Sequence, residues 1–169
     1  KGMIRPDQSP VAGQDAFRFR HILIRDAAYD SVPRTVRADL HERLAGWIEG
    51  AVGERLEEYE EIVGYHLEQA CRQRLSSTTA SDRGLSVRAS RMLASAGRRA
   101  FDRGDVNAAL SLLPRAWELN AVDDPDPLEV RLLWAKAMRR QSDFRRADEV
   151  LSDVERRATA NGHLGLEWR

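Results

Sequence analysis

Cysteine is all but missing from this sequence: Cys71 is the only one in 169 residues. It can close no internal disulfide, which points to a reducing compartment. Lysine is scarce as well. Only Lys1 and Lys136 occur, so 25 of the 27 basic residues are arginine, a bias read as genomic composition rather than as a binding signal. Net charge is absent, 27 basic residues balancing 27 acidic ones, and residues 1–75 carry 11 basic against 13 acidic. That balance argues against a general nucleic-acid or membrane-surface role, which shows a basic excess. No apolar run approaches the roughly 20 residues of a membrane span, and no signal peptide is visible. A phosphate loop of the form GxxxxGK[ST] is missing: Gly46, Gly50 and Gly53 are too widely spaced, and glycine neighbours lysine only at Lys1-Gly2. No paired-aspartate cyclase core can be assembled. These absences predict no catalytic residue, no cofactor site and no metal site in a cytoplasmic chain, read as a piece of a longer protein.

What is present is helix-forming pattern. In the stretch Ala89–Asn120, Leu93, Gly97, Ala100 and Phe101 share one helical face. Gly104 can take the left-handed conformation that ends a helix, and Asp105 can cap the next. Val106, Ala109, Leu110, Leu113, Ala116 and Trp117 form a second apolar stripe. Gly97 and Ala109 are small where two such helices come closest.

A second copy of this pattern follows. Asp143 aligns with Asp105, Phe144 with Val106, Ala147 with Ala109, Leu151 with Leu113 and Val154 with Ala116, every pair separated by the same interval. Ala135 takes the place of Gly97. The order of small and large positions resembles a tetratricopeptide (TPR) repeat, whose usual period of about 34 is slightly shorter than this interval. The extra length fits the turn at Ala121-Val122-Asp123-Asp124-Pro125. Leu93 stands where that pattern has a large aromatic, and the closing proline is displaced to Pro125.

Elsewhere the pattern predicts further elements. Ala16–Arg20 alternates as a short strand, with Phe17 and Phe19 on one face, its partner lying in sequence upstream or in Met3-Ile4-Arg5. Pro6, Pro10 and Gly13 mark a loop. His21–Val32 reads as helix. Pro33 opens another, running to about Ile48, with Val36, Leu40, Leu44, Trp47 and Ile48 as its buried stripe. A third, Ile62–Arg74, turns Ile62, Leu67, Ala70 and Cys71 inward. Residues 76–84 are polar and small, the expected flexible linker. Asp126-Pro127-Leu128-Glu129 is a helix start, with Leu132, Ala135 and Met138 lining that helix, and Val150, Leu151, Val154 and Ala158 the next. Asn161-Gly162 stops it, and His163–Arg169 begins another.

The N-terminal part carries a further likeness. KGMIRPD, the phrases F-R-F-R-H (Phe17 to His21), L-I-R-D-A-A-Y (Leu23 to Tyr29) and L-H-E-R (Leu40 to Arg43), and EIVGYHLEQA (Glu61 to Ala70) resemble a region of large bacterial STAND-type signalling ATPases. These carry a cyclase or DNA-binding domain, an ATPase, a winged helix and then TPR-like helices. The resemblance singles out Phe17, Phe19, His21, Arg25, Asp26, Tyr29, His41 and His66. It implies that residues 1–20 are the tail of a winged-helix-like domain, 21–75 a linking helical region and 85–169 truncated TPR-like repeats. ATP would belong to the parent protein and not to this segment.

Sharper chemistry finds little support in the spacing. His41-Glu42 lacks the second histidine of HExxH, and Cys71 lies five residues from His66, off one helical face. His21 and His66 are therefore read as structural. Asp123-Asp124-Pro125-Asp126 lacks the ligand spacing of a calcium loop and is read as a turn and cap. Ser76–Ser81 is read as linker, and Arg34, Arg37 and Arg43, alternating with Asp39 and Glu42, as a solvated helix face. Trp47, Trp117, Trp134 and Trp168 are read as packing residues. The expected fold is an all-α, TPR-like array of antiparallel helical hairpins (an α-α superhelix) with a short β remnant at the N-terminus. The expected function is a non-catalytic regulatory and protein-interaction module of a larger cytoplasmic signalling ATPase, binding a protein or peptide, or the parent's own ATPase domain. Two rival readings are a segment that completes an ATPase or cyclase site in the full-length protein, and a nucleic-acid-binding segment of a transcriptional regulator.

Overall fold

A computed structural model describes residues 2–9, 13–74, 80–119 and 127–160. It is predominantly helical with one small antiparallel sheet. The chain divides into two compact units, Lys1–Asp82 and Arg83–Arg169. Among the described residues no helix is long and apolar enough to cross a membrane.

The first unit opens with strands β1 (Ile4–Asp7) and β2 (Ala16–Phe19), paired antiparallel with Ile4 opposite Phe19 and Asp7 opposite Ala16. Of the two partners open to the Ala16 strand the structure shows the nearby one, with Ile4 and Arg5 paired and the strand continued through Pro6 and Asp7. Pro6 belongs to β1 and not to the loop. Both strands are edges, so a residue without an N–H is tolerated there. Helix α1 (Ile22–Ser31) follows, then α2 (Arg34–Val52), with Pro33 as its N-cap residue. Gly53, at φ 51°, breaks the helical path and a 3-10 turn Gly53–Arg55 leads into α3 (Leu56–Gln73). The helix thus runs past its expected end near Ile48, and α3 begins before the expected Ile62.

The α2–α3 hairpin corrects the expected stripe. Ala38, Ala45 and Ile48 are buried on α2, facing a core that includes Val63, Leu67 and Ala70 on α3. Val36, Leu40, Leu44 and Trp47 instead remain 39–52% exposed, and Ile62 is exposed as well. Small alanines let α2 approach α3 closely, which leaves the bulky residues beside the contact rather than in it. Charge locks the hairpin edge. Arg74 pairs with Asp39 at 3.1 Å and Glu42 at 2.5 Å, and the buried Glu68 pairs with Arg72 at 2.8 Å.

The second unit holds α4 (Ala80–Asp102), α5 (Val106–Leu119), α6 (Pro127–Arg140) and α7 (Phe144–Ala160). Ala80 to Gly84, expected in the linker, form the start of α4, anchored by the buried Leu85. Residues 76–79 of that linker, the turn at 121–125 with its aspartates, the cap Asp126 and the segment 161–169 lie outside the described residues. So does the Ala158 side chain.

Gly97 meets α5 as expected of a small residue at a close crossing. A methyl group there would lie 2.8 Å from Leu113 Cδ2 and 3.4 Å from Leu112 Cβ. Its neighbours are these leucines rather than Ala109, which is buried nearby. Two serines finish the pairing. Ser90 Oγ donates to the Ala116 carbonyl at 2.7 Å and Ser86 Oγ to that of Leu119. Both carbonyls belong to the last turn of α5, where helical donors run out. One cluster joins Leu93, Ala96 and Ala100 of α4, Ala109, Leu112, Leu113 and Ala116 of α5, and Val130 and Ala137 of α6. A second joins Ala135 and Met138 of α6 with Ala147 of α7.

The two inter-helix turns are copies of each other at the interval that separates Asp105 from Asp143. The Asp105 amide donates to the Ala100 carbonyl and the Gly104 amide to Phe101, while the Asp143 amide donates to Met138 and the Ser142 amide to Arg139. Each is a Schellman closure. Gly104 stands at φ 81° and Ser142, its counterpart, at φ 64°. Asp105 Oδ1 then accepts from the Ala108 amide at 3.0 Å and Asp143 Oδ1 from Arg146 at 3.4 Å, so each aspartate caps the next helix.

Candidate functional site

Among the described residues, polar side chains gather in each unit. In the first, α1 buries none of its residues, so what attaches it to the hairpin is polar and aromatic. The Tyr29 hydroxyl lies 3.0 Å from His41 Nε2, and His41 Nδ1 lies 2.9 Å from His66 Nδ1. The short Nδ1–Nδ1 contact needs one proton between two nitrogens, so the pair cannot hold two imidazolium ions. The Tyr65 ring stands edge-on to both imidazoles, with centroids 6.4 Å from His41 and 5.2 Å from His66. Arg37 lies 4.8 Å above the Tyr29 ring and reaches Asp30 at 3.6 Å. Its side chain is only 16% exposed, so it belongs to this cluster and not to the solvated face expected for it.

Burial makes these imidazoles poor proton acceptors. Desolvation, then the neighbouring His41, pushes His66 down to about 4. Desolvation, then Arg37, lowers His41 as well. Burial also pushes the Cys71 thiol up to about 11, which keeps it a protonated, unreactive group at neutral pH. Among the described residues no group of three or more His, Cys, Asp or Glu is placed to hold a metal ion. Chemically the cluster is a pin: a neutral relay from Tyr29 through His41 to His66 that fastens α1 to α2 and α3.

In the second unit the first helix of each hairpin shows a matched row of charges. Arg91, Arg98 and Asp102 on α4 and Glu129, Lys136 and Arg140 on α6 are exposed and correspond one to one at the same repeat interval. Arg98 bridges to Glu129 at 3.0 Å, which sets the two rows side by side. Arg140 lies 3.9 Å over the Phe101 ring and donates to its carbonyl at 3.0 Å. Behind this face Arg131 sits 4.0 Å over the Trp117 ring and pairs with Asp153, tying α5, α6 and α7 together.

The residues singled out from sequence divide accordingly. Gly97, Ala109, Ala116, Ala135 and Ala147 are buried in the second unit, while Gly104, Asp105 and Asp143 form its turns. Tyr29, His41 and His66, far apart in sequence, come together. Phe17 and Phe19 share a strand face but are 62% and 37% exposed. His21 gives only its backbone carbonyl to the start of α1, and Arg25 pairs with Asp26 on the surface. Tyr65 and Arg131 were missed. Arg131 is the repeat counterpart of the core residue Leu93, a slot where the repeat signal leads one to expect an apolar side chain. Comparison of the chain with protein-family models, with curated proteins and with solved structures gives no match.

Proposed function

We propose that the chain is a non-catalytic regulatory and protein-interaction module of a larger cytoplasmic signalling ATPase, and that residues 85–169 are TPR-like repeats. The observation that carries this reading is the pair of helical hairpins whose turns, caps and buried small residues recur at one constant offset. Stacked hairpins of this kind leave the faces of their first helices side by side as one continuous surface. Here that surface carries Arg91, Arg98 and Lys136, offset by Asp102 and Glu129. It would receive a protein segment, or the parent's own ATPase domain, and bias the parent between resting and active states. The residues likened to STAND-type ATPases support the larger setting, since Tyr29, His41 and His66 all take part in holding one element to another.

The test is nucleotide turnover of the full-length parent carrying Arg91→Glu, Arg98→Glu and Lys136→Glu together. The proposal expects turnover to persist with altered regulation, and binding of the isolated ATPase domain to the chain to weaken. Unchanged regulation and unchanged binding would refute the interaction reading. Complete loss of turnover in a folded variant would favour the reading in which the segment completes an enzyme site.

A further inference from the structure

The exposed apolar row on α2 concerns the first unit and lies outside the interaction reading given to the second. Val36, Leu40, Leu44 and Trp47 follow one another at helical steps of four, four and three, so they form a single ridge. They are 44%, 52%, 39% and 45% exposed. The buried residues Ala38, Ala45 and Ile48 adjoin this row, Ile48 lying one turn after Leu44. The apolar surface of α2 is thus wider than the part that α3 covers.

Two further features point the same way. Gly46 and Gly50 lie inside α2, where glycine costs stability. A methyl group built on either would meet nothing within 4 Å, so nothing in the described chain requires them. Gly97 is the opposite case, with Leu113 2.8 Å away. Gly50, one turn after Trp47 and facing open space, leaves room for another backbone beside the ridge. The second feature is charge. Asp39 and Arg43 sit one helical turn apart on the flank of the ridge, yet Asp39 turns to Arg74, and Arg43 forms no ion pair or hydrogen bond among the described residues.

We propose that the outer face of α2 is a homodimer interface, on which a second copy of this chain lays its own α2 antiparallel about a two-fold axis. Such an axis sets each flank against the same flank reversed. Asp39 of one copy, still 67% exposed beside Arg74, then meets Arg43 of the other, twice. Along the ridge Leu40 meets Leu44 of the second copy and the smaller Val36 meets its Trp47, so a large side chain at the ridge's end opposes a small one.

Sedimentation equilibrium of the whole chain over a concentration series tests this. The expected result is a monomer–dimer equilibrium. Leu40→Glu abolishes the dimer with helix content unchanged. Gly50→Leu, for which the monomer has room, does the same. Arg43→Asp raises the dimer dissociation constant about tenfold, because two attractions become two repulsions. Adding Asp39→Arg to Arg43→Asp restores it. A chain that stays monomeric at its highest soluble concentration overturns the proposal, even if another protein is found to cover the ridge. So does a dimer indifferent to Leu40→Glu and Gly50→Leu, or a double charge swap no better than Arg43→Asp alone.

Discussion

Among the described residues the unit Arg83–Arg169 leaves one large apolar side chain, Phe144, exposed, whereas the unit Lys1–Asp82 displays many of its own. Leu93, Leu113 and Val154 are at most 1% exposed, while Leu23, Phe17 and Leu40 are more than half exposed. The difference lies in what joins the helices. In the second unit the α4–α5 and α6–α7 turns are capped, and the α4–α5 crossing is filled so closely that Leu113 leaves no space for a methyl group on Gly97. In the first unit only the α2–α3 hairpin is packed that way. Helix α1 is held by a tyrosine, two histidines and an arginine, contacts that depend on protonation and geometry more than on area. One unit is thus fastened mainly by packing and the other partly by chemistry.

That contrast can be broken first at Gly97. Gly97→Val drives a side chain into Leu113 and costs about 3 kcal/mol by overpacking, read as a lowered urea midpoint. A loss below about 1 kcal/mol would mean the α4–α5 crossing is looser than its geometry.

Acid attacks the other unit. The ordinary imidazole value is 6.5, and burial followed by His41 holds His66 down to about 4. Between those values the unfolded chain takes up a proton that the folded chain refuses, so stability is full above the upper value and falls as pH drops toward the lower one. The loss is roughly 2 kcal/mol after allowance for solvent screening. Melting curves across that range check the slope, and His66→Gln should flatten it. An equal slope in the variant would contradict the pin.

The caps come next. Asp105→Ala and Asp143→Ala should each cost about 1 kcal/mol, and similar losses from both, measured by chemical denaturation, would sharpen the case for equivalent turns. The smallest effects are gains. Ser142→Gly relieves a left-handed serine by about 0.5–1 kcal/mol. Gly46→Ala gains a similar amount of helix propensity in α2, the reverse in sign of any substitution at Gly97. Melting temperatures of the two variants give both signs.

Much of the second unit was legible because its signals are local. Glycine then aspartate closes one helix and caps the next, and an aspartate recurs at the matching position, Asp143, in the following hairpin. Ser142 in a left-handed conformation was not legible, since only its position opposite Gly104 reveals it. The stripe on α2 was misread for a physical reason. Two apolar faces compete there, and size suggests that Leu40 and Trp47 turn inward, whereas close approach to α3 selects Ala38 and Ala45. The histidine pin was half legible: His41 and His66 were singled out by resemblance, but they stand on different helices and touch only in the folded chain, so no local spacing encodes the contact. Arg131 over Trp117 is likewise a purely tertiary contact.

The central claim is that two hairpins of the second unit are the same structure repeated. Native-state hydrogen exchange of the whole chain tests it most directly, at the amides of Asp105 and Asp143, which donate to Ala100 and Met138. The account predicts that both are protected, with rates within about tenfold of each other. Exchange of either amide at the rate of an unfolded chain while the other stays protected would contradict it.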